Sequence, residues 1–138
     1  MLIVSALAWP LSAAGQQQDD GANVLVTLNC VPRIGKGRVV CDAEITAKSG
    51  RLTWADAIIT KAPAFAPPLR DRVSLREASE RDASHLHLPF ALIAQQAGEG
   101  EVTIKARAVW CRATTTQELC VSVSHTVAAR VVVAPAPG

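Results

Sequence analysis

Four cysteines and a histidine pair are the residues of this chain whose chemistry reaches beyond packing. Cys30, Cys41, Cys111 and Cys120 are all the cysteine it has. In a small chain with an apolar leader they read first as two disulfides. Their spacing lacks the close pairs of a zinc site, and an oxidising compartment disfavours free thiolates. The local connectivity joins Cys30 to Cys41 and Cys111 to Cys120, closing two short loops. A long-range alternative joins Cys41 to Cys111 with Trp54 between them. Trp54 stands 13 residues after Cys41, and Cys111 stands 70 residues after Cys41.

His85 and His87 share one face of a strand, a geometry that can hold copper or zinc. The ordinary alternative is a solvated pair. His125 has inward parity on a later strand and is expected to be a hydrogen-bonded core histidine. Arg70 to Asp82 (RDRVSLREASERD) mixes four arginines with four acids. It reads as a solvated loop with weak local ion pairs, an arginine-led contact surface being the functional alternative. No nucleophile elbow, phosphate-cradling glycine loop or placed carboxylate pair is present. The expectation is a protein that is not an enzyme and takes no cofactor.

These residues must be positioned by strands. Val24, Val26, Leu28 and Cys30 alternate with polar neighbours, as do Val39, Cys41, Ala43, Ile45 and Ala47. Opposing Val24 to Ala47, Val26 to Ile45, Leu28 to Ala43 and Cys30 to Cys41 puts every apolar residue on one face. Ile34-Gly35-Lys36-Gly37 supplies the glycine of a two-residue type II′ turn. A second ribbon sets Val102, Ile104, Ala106, Ala108 and Trp110 against Ala129, Val127, His125, Val123 and Val121. Its turn, Thr114 to Gln117, lacks glycine and asparagine, so a longer loop is expected. This register opposes Cys111 to Cys120 on the other face, beside Lys105 and Arg107. One cystine is therefore expected buried and the other exposed, unless a bulge intervenes.

Arg51 to Lys61 reads as a strand with Leu52, Trp54 and Ile58 on one face. His85 to Ile93 reads as another, with Leu86, Leu88 and Phe90 together and Pro89 marking an edge or bulge. Ser74 to Glu77 fits a capping box that opens a short helical turn through about Asp82. Ala62 to Pro68 is a proline-rich connection. Six or seven short strands with regular turn signals predict an all-β, antiparallel, immunoglobulin-like sandwich with two hairpin disulfides.

At 138 residues the chain has the length of one domain. It is 49% hydrophobic but only 4% aromatic, so its core must be aliphatic. A net charge of +2 gives no footprint for nucleic acid or anionic lipid. Met1 to Leu11 is apolar and too short to span a bilayer, and Ser12-Ala13-Ala14 offers small residues for signal peptidase. The expected organisation is a signal peptide over 1–14, a polar spacer over 15–21, a sandwich over 22–133 and an extended tail over 134–138. No transmembrane segment is expected in the mature chain, which would be exported to the periplasm or beyond.

Val109-Trp110-Cys111 and Leu119-Cys120, followed by a valine-rich strand, resemble the last hairpin of two groups of exported domains. One is the amino-terminal immunoglobulin-like domain of thiol:disulfide interchange reductases. The other is the carboxy-terminal β-domain of NHL-repeat proteins with a thioredoxin-like module. The resemblance covers about a quarter of the chain. It implies that Cys111 and Cys120 form an exchanging pair, although they stand farther apart than in the reductases and no aromatic capping loop is evident. The function expected from fold and compartment is a non-enzymatic binding module for an unknown protein partner. The alternative is a redox accessory acting through Cys111 and Cys120.

Overall fold

The computed structural model describes residues 21–138. The expected leader and nearly all of the spacer lie outside the described residues. Six long strands carry the fold: β1 (Val24–Cys30), β3 (Gly37–Ala47), β4 (Arg51–Lys61), β7 (His85–Ala94), β8 (Gly98–Ala113) and β9 (Glu118–Ala134). Three short ones, β2 (Arg33–Ile34), β5 (Arg72–Ser74) and β6 (Glu80–Arg81), edge them. They form two sheets, ordered β1-β3-β7-β6 and β2-β9-β8-β4-β5. The protein is an all-β sandwich.

Both ribbons adopt the register that alternation demands. β1 and β3 pair from Val24 with Ala47 to Cys30 with Cys41. β8 and β9 pair without a break from Gly98 with Val133 to Ala113 with Glu118. A slip of one residue in either would turn its valines to solvent, so burial selects the register. Ile45, Leu86, Leu88 and Leu92 of the first sheet fill the space over the alanines Ala55, Ala57, Ala106 and Ala108 of the second. Large residues facing small ones let the layers approach closely.

Three expectations need correction. The first ribbon does not end in a two-residue turn. After Cys30 the chain passes Pro32, which has no N–H to continue a ladder, and crosses to the other sheet. There Arg33 and Ile34 pair in parallel with Val133 and Ala134 of β9. Gly35 and Gly37 do adopt positive φ, but within a loop whose carbonyls accept from the Arg33 guanidinium. Second, the capping box opens a single 3₁₀ turn, Leu75–Glu77, and the chain then returns to strand at Glu80. The Ser74 N–H and hydroxyl both donate to the Glu77 carboxylate, each at 2.7 Å.

Third, β4 is bulged between Leu52 and Trp54. The extra residue reverses the faces beyond it. Ala55, Ala57 and Ile59 point inward, while Trp54, Asp56 and Ile58 turn to the outer face. Pro89, by contrast, stands where expected. β6 pairs only with Leu86 and His87, so that side of β7 is open at Pro89.

Candidate functional site

The longest unpaired backbone among the described residues is the outer edge of β9. β8 covers one side of this strand throughout, and on the other, among the described residues, only Val133 and Ala134 have a partner, in β2. The Ala134 carbonyl accepts from Gly35 N–H at 2.9 Å, so it faces away from β8. Backbone groups of alternate residues in an antiparallel strand face the same way. With an unbroken register, the N–H and C=O of Ser122, Ser124, Thr126 and Ala128 therefore face outward too. The 4.0 Å Cα separation of Cys111 and Cys120 agrees, being that of a pair whose backbone groups point away from each other.

The side chains of β9 leave this edge unguarded. Its inward row, Val121, Val123, Val127 and Ala129, is only partly buried, because among the described residues β1 is the strand that lies over that margin, and it stops at Cys30. Its outward row, Ser122, Ser124, Thr126 and Ala128, is small and uncharged. Edges that resist pairing carry lysine, proline or a bulge. From Val121 to Ala129 this one has none of them. His125 interrupts the inward row, with Nε2 at 2.8 Å from the Gly21 carbonyl oxygen.

The cysteines are bonded locally, Cys30 to Cys41 and Cys111 to Cys120. The expected contrast between a buried and an exposed cystine holds in part: Cys30 and Cys41 lie with the core and Cys120 is exposed, but Cys111 is buried. Each bridge has one hidden sulfur: Cys41 and Cys111 are buried, Cys30 is half-buried and Cys120 is exposed. Cys111 is covered because β4 reaches it, with Arg51 paired opposite and Thr53 Oγ1 at 3.7 Å from its sulfur. The cation beside this pair is Arg51 rather than the expected Arg107. Arg107 turns toward Asp56, while the Glu118 carboxylate lies within 4.8 Å of both sulfurs. Arg51 and Glu118 form an ion pair, so there is no net positive charge beside the sulfurs to favour the thiolate that exchange needs. Arg51 grips Glu118 through two bonds, at 2.5 and 2.9 Å, and ties β4 to β9 at the hairpin tip.

Sequence reasoning missed Asp56. Its side chain is fully buried on the outer face of the second sheet. Arg107 donates to both carboxylate oxygens, through Nε at 2.8 Å and through Nη2, and Arg72 Nε adds a third bond at 2.7 Å. The guanidinium groups form its lid and are themselves 39% and 52% exposed. Burial pushes the Asp56 carboxyl up, but hydrogen bonding and charge from Arg107 and Arg72 outweigh it and hold the group below its ordinary value. Arg107 also lies over the Trp54 ring, 5.5 Å from its centroid. The signal available was an acid inside the apolar run Trp54 to Ile59.

His85 and His87 do share a face, the outer face of the first sheet. Their rings meet edge to face, with centroids 4.7 Å apart. His87 Nδ1 lies 2.5 Å from Asp42 Oδ2, and His85 Nε2 lies 3.0 Å from Glu44 Oε1. The hydrogen bond that the His87 ring donates to Asp42 raises the His87 pKa above its ordinary value. Desolvation opposes this, and the charges of Asp42, Glu44 and Glu80 add to it.

No family model matches the chain, and no curated protein matches it. The resemblance of the last hairpin to redox domains therefore rests on its two cysteines and strand pattern alone. Among solved structures, the chain is similar to the major subunit of aggregative adherence fimbriae type I from Escherichia coli. The identity is 13% over 80% of this chain and 95% of that one, with a TM-score of 0.39. A likeness at that score carries no argument about function.

Proposed function

We propose that this domain is a non-enzymatic interaction module, working in an exported compartment, that takes an extended segment of a partner protein onto the open edge of β9. The observation that carries the reading is the edge itself. Outward-facing donors and acceptors along Ser122 to Ala128 call for a partner backbone in β conformation. The half-covered row Val121, Val123, Val127 and Ala129 calls for apolar side chains at alternate positions of that partner. Two cystines support an oxidising compartment. We read both as staples, since Cys41 and Cys111 are buried away from an attacking thiolate.

The parity of β9 supplies a selective test. Proline at Ser124 removes an outward N–H and leaves the ladder to β8 intact. The probe is a synthetic Thr–Val alternating peptide of about ten residues, the length of a long strand. The wild-type domain is expected to bind it, and Ser124→Pro to weaken binding at least about tenfold with the melting temperature nearly unchanged. Absence of binding to the wild type, or equal binding by the variant, would overturn the proposal.

A further inference from the structure

We infer that the outer face of the first sheet holds a divalent transition-metal site of the zinc type, built from His85, His87, Glu44 and Glu80, with Asp42 as its positioning residue. Strand pairing assembles it. His87 of β7 stands directly opposite Glu44 of β3 on one side and Glu80 of β6 on the other. His85 lies two residues along β7 on the same face. Three strands thus bring two imidazoles and two carboxylates together from three separate points of the chain.

The distances suit a cation better than a set of ion pairs. The contact between His87 and Asp42 through Nδ1 fixes the ring and leaves Nε2 to face the other acids. That atom lies 3.8 Å from Glu44 Oε2 and 3.6 Å from Glu80 Oε2, both too far for a hydrogen bond. His85 Nε2 is 3.0 Å from the other oxygen of Glu44. Ligands at about 2.0–2.1 Å in a tetrahedron stand roughly 3.4 Å apart, close to the separations of His87 from Glu44 and from Glu80. Donor atoms of Glu44, His85 and His87 all lie within 4.8 Å of one another. A carboxylate on the distal nitrogen of a ligating histidine is the usual second partner at such sites, orienting the ring and raising its basicity. Imidazole with carboxylate suits zinc or copper rather than calcium or magnesium. Cys111, Glu118 and Cys120 also cluster, but their sulfurs are spent in the disulfide.

The site is independent of the β9 edge, so its test does not depend on partner binding. Zinc chloride is titrated calorimetrically into the whole protein near pH 8, since metal ligands bind in their deprotonated form. One equivalent is expected to bind. Glu44→Gln and His85→Gln, both surface changes, are each expected to weaken affinity at least about tenfold, and Asp42→Asn by about 10–100-fold, the usual cost of losing an outer partner. Cobalt(II) in place of zinc is expected to show the intense visible absorption of a four-coordinate ion. No heat of binding, or affinities unchanged in both Glu44→Gln and His85→Gln, would overturn the site.

Discussion

Replacing Cys30 and Cys41 together by alanine is expected to lower the free energy of unfolding by about 3 kcal/mol. The bridge closes a loop whose ends are separated by 11 residues, for which loss of chain entropy in the unfolded state gives about 2.5–3 kcal/mol. Cys41 is wholly buried between β1 and β7, so the lost sulfur adds a packing cost. For a domain of this size the melting temperature should fall by roughly 10 °C. The matching change at Cys111 and Cys120 closes a similar loop, but exposed Cys120 contributes less packing. Urea unfolding of the two double variants gives the comparison. A loss at both sites, larger at Cys30 and Cys41, fits two staples. Unchanged stability at Cys111 and Cys120 would contradict that role.

The second large effect is expected at Asp56. Asp56→Asn keeps the shape but removes the charge that two guanidinium groups share, leaving Arg72 and Arg107 facing each other. Hydrogen bonds to a charged group are worth about 1.5–3 kcal/mol, and the half-exposed arginines recover part of the loss in water, so a cost of about 2 kcal/mol follows near neutral pH. The pH dependence has a definite sign. Because the folded-state pKa of Asp56 lies below its ordinary value, its contribution is fully present above the unfolded carboxyl's value, about 4. It is lost as pH falls through the lower folded value. Wild type and variant should therefore converge in acid. A stability gap that stays constant down to the acid limit would mean that packing, not charge, sets the cost.

The fold was legible wherever two neighbouring strands constrain each other. Val24 to Cys30 could satisfy Gly37 to Ala47 in only one register, and Val102 to Trp110 could satisfy Val121 to Ala129 in only one. Both local disulfides followed from those pairings. Elsewhere a single local event broke the reading. Gly35 and Gly37 look like a hairpin turn, yet Pro32 had already sent the chain to the other sheet. The bulge after Leu52 leaves no mark in composition, and without it Trp54 and Asp56 cannot be placed on the outer face. The histidine pair was visible from alternation alone. Its carboxylates were not, because Glu44, Glu80 and Asp42 reach it through pairings between distant strands.

The open edge of β9 was out of reach for a related reason: whether a strand is central or terminal is a property of sheet order, and the alternating valines look the same in both. Amide hydrogen exchange along this strand tests the edge most directly. In the free domain, N–H groups of Val121, Val123, His125 and Val127 are bonded to β8 and should exchange slowly. Those of Ser122, Ser124, Thr126 and Ala128 should exchange fast, and slow down when the Thr–Val peptide is added. Slow exchange at all eight positions before any peptide is present would mean that the edge is already covered, and would contradict an open binding strand.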